Sequence, residues 1–433
     1  MATKRSAWMV FVVLLLAAKV FFMGQAAAEE KTIDPQTVER LERLIREQQQ
    51  QLEALQQQVD QLKQTATDAQ AQAQEAKSVA QEAKTTAQAP ADKIVTSGQE
   101  RVKLAISGQV NRAVNVADDG KSTNAYHVDN DVSNSRVRFV GTAKATDDLT
   151  IGTRLEAAFA PNESSEVSQN DEESGDFTDQ RWAEVSLDSQ RFGKLSLGKG
   201  DTASNNTAEV DLSRTDVVQY ASVADIAGGL FFRENNGDAL TGVRVSDAFK
   251  DLDGLSRKTR LRYDTPTFYG FHLAGSLVSD QRYDAALFWG GQGLGFKAAA
   301  AAAFADPNEV DTDYQYDGSF SLLHEATGLN LTLSTGLKER DSQGDAQNYY
   351  AKAGWLAKLF SVGETAFGLD YNRSINLPTG RDEGYSVGAA MVQQLEEFGT
   401  ELYLQYRLYS LDRDLEPSVQ DINVGTIGAR VKF

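Results

Sequence analysis

From Val102 to the last residue, Phe433, apolar and polar positions alternate, run after run. The closing stretch Ile427-Gly428-Ala429-Arg430-Val431-Lys432-Phe433 shows the pattern plainly. Period two predicts strands with one apolar and one polar face. Runs between turn signals predict strands near 102–115, 134–145, 148–160, 179–188, 193–200 and 258–265. Ten more are expected near 270–279, 282–290, 295–305, 313–323, 329–340, 347–357, 362–374, 383–394, 398–411 and 422–433. The total of sixteen is even, as single-chain antiparallel closure in bacterial barrels requires.

Connections alternate between short and long. The short ones repeat an apolar or aromatic residue before glycine: Phe192-Gly193, Tyr269-Gly270, Leu294-Gly295 and Phe398-Gly399. The long ones are polar and acidic. This alternation predicts an all-β transmembrane barrel, with aromatics at one interface and the long loops on the outer side. Ala298 to Ala303, six alanines in a row, favour helix by intrinsic propensity. Their place between a glycine turn and Asp306-Pro307-Asn308 predicts a strand instead.

Before Val102 the period is seven. Over 35–88 the a positions are Val38, Ile45, Leu52, Val59, Ala66, Ala73, Ala80 and Ala87. The d positions are Leu41, Gln48, Leu55, Leu62, Ala69, Ala76 and Ala83. Asp34-Pro35 supplies a helix start and Pro90 a stop. An α-helical coiled coil of about 80 Å is expected, within a stem and linker over 29–101. Valine or isoleucine at a with leucine at d leans towards a parallel dimer, whereas a trimeric barrel demands a trimer, and both stay open. Residues 1–28 have a basic start, a short apolar run and Ala26-Ala27-Ala28 before Glu29, the pattern of a cleaved signal peptide. The chain, 433 residues with a formal charge of −19, contains no cysteine. Disulfides and thiolate metal sites are therefore excluded, and nucleic acid is an unsuitable partner.

The connection over 201–257 is too long for a passive loop and carries Val217, Val218, Tyr220, Ile226, Leu230, Phe231 and Phe232. It is expected to fold back into the lumen as a constriction loop, with an external cap or intersubunit latch as the competing arrangement. A lipid-facing Arg near the midplane costs roughly 2–4 kcal/mol, so register should turn charges inward. Parity places Arg136, Arg138, Arg154, Arg260 and Arg262 in the lumen. Arg181 is ambiguous, since it shares parity with Val185 and Leu187. The loop offers Glu209, Asp211, Asp216, Asp225 and Glu234 opposite them. The two sets either create a transverse field or pair and hold the loop.

Ser135-Arg136-Val137-Arg138-Phe139-Val140-Gly141 resembles the second strand of Gram-negative trimeric general porins. Arg181-Trp182-Ala183-Glu184-Val185-Ser186-Leu187 with Phe192-Gly193-Lys194-Leu195-Ser196-Leu197-Gly198-Lys199 resembles their strands four and five. Leu261-Arg262-Tyr263-Asp264-Thr265-Pro266 resembles strand six. The stem is similar to that of DcaP-like dicarboxylate porins. The resemblance implies a homotrimer in the outer membrane that passes small hydrophilic solutes and ions passively, without cofactor. By position Arg136 and Arg181 match the family's basic rungs, and Lys199 stands where the family often has Arg. It further implies that Phe433 is the signal read by the barrel assembly machinery.

The arginine face suggests small anions such as carboxylates, while the net acidity argues for cations. Outer-membrane lipid and lipopolysaccharide are expected partners, the latter through acidic loop residues such as Glu163, Glu166, Asp171, Glu172, Glu173 and Asp176. The stem suggests trimer registration or contact with peptidoglycan. The rival reading is a structural, wall-tethering protein with a plugged barrel. Catalytic and metal residues are not expected: His127, His272 and His324 are scattered over a loop, a strand and a turn region. Gly290-Gly291-Gln292-Gly293-Leu294-Gly295 reads as a turn.

Overall fold

The computed structural model describes residues 94–96, 102–173, 179–237, 239–415 and 417–433. The expected leader over 1–28 and the heptad stretch over 35–88 lie outside the described residues. The strands are β1 (Ile94–Thr96), β2 (Val102–Asp118), β3 (Thr123–Asp129), β4 (Arg136–Lys144), β5 (Leu149–Ala158), β6 (Asp179–Ser189) and β7 (Gly193–Asp201). Then come β8 (Phe231–Arg233), β9 (Leu240–Arg244), a helical turn α1 (Val245–Ala248), β10 (Arg257–Asp264), β11 (Phe271–Val278), β12 (Arg282–Gly293) and β13 (Phe296–Asp306). The last are β14 (Gln315–His324), β15 (Leu329–Lys338), β16 (Ala346–Phe360), β17 (Gly363–Ile375), β18 (Glu383–Leu395), β19 (Thr400–Asp412) and β20 (Ile422–Lys432).

Neighbours pair antiparallel in chain order, β7 pairs with β10, and β20 pairs with β2, which closes the wall. The upper part of β2 pairs with β3 and its lower part with β4, so these two strands share one wall position. The wall is thus a closed sixteen-stranded antiparallel barrel. All sixteen expected strands are present, the alanine run included. The expectation missed β3, whose inward residues Tyr126 and Val128 are buried although the strand reads as polar. His127 therefore lies on a strand, not a loop. Gly290 to Gly293 likewise continue β12, and only Leu294-Gly295 turns. With Leu294 and Gly295 at φ 54° and 78°, the tight left-handed turn needs no more than two residues.

The burial pattern is inside out. Leu155, Val185, Leu197, Leu273, Leu277 and Leu404 are exposed, while Ser196, Arg260, Asp284, Lys352 and Arg407 on the other face are buried. A wall that is apolar outside and polar inside suits hydrocarbon around it. At the seam, Phe433 and Gly108 exchange backbone hydrogen bonds of 2.8 and 2.9 Å. The Phe433 ring fills the space a side chain at position 108 would need. β1 pairs with Lys103–Ala105 of β2 just past that terminus.

Residues 202–256 run inside the barrel. Val217, Val218, Ile226, Leu230, Phe232 and Phe249 form an apolar core with inward wall residues such as Tyr350, Val392, Tyr403, Tyr409 and Ile422. Water inside the lumen makes that burial favourable, at about 1.5–3 kcal/mol for each large side chain fully covered. Polar wall residues catch the segment's backbone at intervals. Ser319 and Ser321 on β14 accept from the amides of Val210 and Leu212 at 2.9 Å each. Tyr409 on β19 donates to Val223 O at 2.6 Å, and Asn115 on β2 to Ile226 O at 2.6 Å. The distal part, β8 paired with β9, rises to the mouth, where Glu234 bridges Val419 and Arg233 meets Asp119 at 2.6 Å. The segment thus packs against the inner wall, and its hairpin reaches the end of β2 and the stretch before β20.

Candidate pore constriction

Most of these catches lie on β14 to β19 and on β2. The neighbouring strands β4, β5 and β6, on the other side of β2 from β19 and β20, carry the basic cluster. Its centre is Glu156, whose side chain is fully buried. Arg138 Nε lies 2.6 Å, Arg154 Nη2 2.5 Å and Arg181 Nε 3.0 Å from its carboxylate, with Arg136 Nη1 at 3.6 Å. These four guanidinium groups keep 12–25% side-chain exposure, so they line accessible space. Direct cross-strand pairing puts Arg138 opposite Glu156, which is why both share the inner face.

Arg181 joins them through a bulge. Glu156 pairs with Trp182 but the next residue, Ala157, pairs with Gln180, leaving Arg181 as the extra residue on β6. An inserted residue breaks strict alternation and re-aims its side chain. Hence Arg181 turns inward although it shares parity with the exposed Val185 and Leu187. Trp182, also inward, lies under Arg154, with Cζ 3.7 Å from the ring centroid, and Arg260 approaches it at 5.8 Å.

Three expected basic residues act differently. Arg260 is almost wholly enclosed: it meets Glu184 at 2.6 Å and donates to Asp201 O at 2.8 Å. Arg262 meets Asp264 at 2.7 Å and donates to Thr202 O at 2.6 Å. Both secure the root of the internal segment through its carbonyls. Lys199 is a correction. It lies opposite Ala183 and Thr259, on the parity of exposed Leu197 and Leu261, and reaches Asp179 at 3.7 Å. Its strand has no bulge to turn it inward.

Of the two arrangements left open for wall arginines and loop carboxylates, direct pairing is not what these arginines make. These arginines find their acids on the wall, in Glu156, Glu184 and Asp264. Asp211 instead meets Lys352, a fully buried ammonium on β16 that also donates to Gln219 O at 2.8 Å. Asp216 is exposed. Glu234 belongs to the mouth hairpin. Asp225 accepts from Tyr220 and from Ser222 Oγ at 2.9 Å.

Burial, followed by the charge of Asp131, pushes the Asp225 carboxyl up to about 7. Burial and then the Asp131 charge do the same to Glu163, also to about 7. Burial, then Asp253 and Asp251, holds Glu209 well above the ordinary carboxyl range. The segment thus brings a group of acids with raised proton affinity to the lumen. Asp131, on the turn between β3 and β4, is within electrostatic reach of Arg181.

Glu156, Trp182, Lys352 and Asp131 were missed as site residues by sequence reasoning. Parity was the signal that could have found Glu156 and Trp182, but their convergence needs the register of β4, β5 and β6. Among the described residues no group of His, Asp or Glu has a metal-binding arrangement.

A model of the Gram-negative porin family matches residues 66–414. No sequence among curated proteins matches the chain. Among solved structures, the anion-selective porin from Comamonas acidovorans aligns with a TM-score of 0.52 at 15% identity, covering 77% of this chain and 100% of that one. OmpT from Vibrio cholerae, in its in-vitro folded trimer form, aligns with a TM-score of 0.50 at 13% identity, with coverage of 77% and 100%. At such identities the likeness speaks for the fold.

Proposed function

This chain belongs to the Gram-negative porin family, with the channel role and bacterial outer-membrane setting that membership carries, and from there we propose a homotrimeric porin that favours small anions such as carboxylates. The observation that supports the preference is four guanidinium groups gathered on one buried carboxylate, Glu156. Their uncompensated charge faces accessible space, where it raises the local concentration of anions. Weak, distributed contacts of this kind let solutes leave as readily as they enter. The pore-lining set of this proposal is Arg136, Arg138, Arg154 and Arg181, with Asp131 on the turn before β4 and Asp225 and Glu209 on the internal segment.

The test is the reversal potential of single channels in a KCl gradient across a planar bilayer. Wild type is expected to reverse on the chloride side, and Arg136→Ala with Arg138→Ala to move towards potassium. No shift in the double variant counts against these residues.

A second reading has its own support: the apolar core that residues 202–256 build inside the lumen suits a plugged barrel with a structural, wall-tethering role. An electrically silent protein that pulls down peptidoglycan favours it. Phe433 as a signal to the assembly machinery, and lipopolysaccharide at the acidic loops, belong to the proposal as well.

A further inference from the structure

Glu156 carries a negative charge in the middle of a positive cluster, which by simple addition weakens the cluster's attraction for anions. Yet it touches all four arginines, which come from three strands, and its side chain is fully buried. Four guanidinium groups this close repel one another, and long Arg side chains have many rotamers to escape into. The carboxylate removes that freedom: Arg138 and Arg154 share Oε2, and Arg136 and Arg181 share Oε1. Arg154 is fixed on its other side by Trp182. Arg136 is further tied to Ser133 Oγ at 2.9 Å.

We infer that Glu156 is a positioning residue for anion selection: it holds the guanidinium groups in one focused array, and the array, rather than the net charge, sets the preference. The inference deepens the anion reading above and rests on it. A held array resembles other preorganised sites, whose first shell works only as well as its support.

Two substitutions separate position from charge. Glu156→Gln removes a negative charge, so charge counting demands a stronger anion preference, whereas loss of the array demands a weaker one. Glu156→Asp keeps the charge but withdraws the carboxylate by one methylene. Reversal potentials are measured in a KCl gradient, with folding checked by heat-modifiable gel mobility. The expected result is a shift towards zero selectivity in both variants. A Gln variant more anion-selective than wild type overturns the inference, as does an Asp variant indistinguishable from wild type. Should the Gln variant fail to fold, the Asp variant alone decides. A wild-type channel without anion preference strikes at the functional reading instead, so the two failures are told apart.

Discussion

Lys352 on β16 presses its ammonium against the carboxylate of Asp211 on the internal segment, and both side chains are almost free of solvent. The pair sits on β16, several strands away from β4 to β6 in either direction around the wall. Thr215 Oγ1 and Gln219 O complete the coordination at 2.9 and 2.8 Å, so the ammonium is fully satisfied.

Removing one partner of a buried pair leaves the other charge unpaired, at a cost of about 3–5 kcal/mol. Lys352→Met is therefore expected to loosen residues 210–220 while leaving the barrel closed. Single-channel recordings check it: greater open-channel noise and limited proteolysis within 202–256 are expected, and quiet wild-type openings contradict it.

Trp182 supports Arg154 and packs under Gly200, where a side chain on the glycine would meet the indole at 2.7 Å. Truncating a buried Trp to Ala typically costs about 3–5 kcal/mol. Trp182→Ala should lower the thermal midpoint of the detergent-solubilised protein and also weaken anion preference, since Arg154 loses its platform. A lower midpoint with unchanged selectivity limits Trp182 to packing.

Protonation of Asp225 and Glu163 supplies a pH dependence. Both carboxyls are raised to about 7 by burial and then by Asp131. The folded state therefore holds protons that the unfolded chain gives up near pH 4. Their contribution is full below that range and is lost as pH rises through about 7. Going from mildly acidic to mildly alkaline solution adds negative charge around Asp131, which itself lies within electrostatic reach of Arg181, so anion preference should fall with rising pH. Reversal potentials across that range test it, and Asp225→Asn should blunt the change.

Gly108 leaves room for the terminal ring. A Cβ there would lie 2.5 Å from Phe433 Cζ and 2.7 Å from Arg136 O. Backbone cannot yield as a flexible side-chain tip does, so Gly108→Val should disturb the seam between β2 and β20. The expected outcome is a smaller folded fraction in outer membranes on semi-native gels, with Gly425→Ala, at an open position of the same seam, close to wild type.

Alternation by itself determined the barrel, because in a wall between hydrocarbon and water every second residue must be apolar. It placed Leu155 outside and Arg154 inside, and it located sixteen strands, including the six alanines, from turns and parity alone. The internal course of 202–256 was legible too, since so many apolar residues need burial. What alternation could not place was anything that departs from it. Arg181 became an inward residue only through the bulge opposite Glu156 and Ala157, which is a property of two strands together. The partners of each charge were likewise beyond reach, because Glu156 meets four arginines, and Asp211 meets Lys352 141 residues away, only after register and closure bring them together. Local periodicity is written in neighbouring residues; electrostatic partnership is decided by distances that exist only in the closed wall.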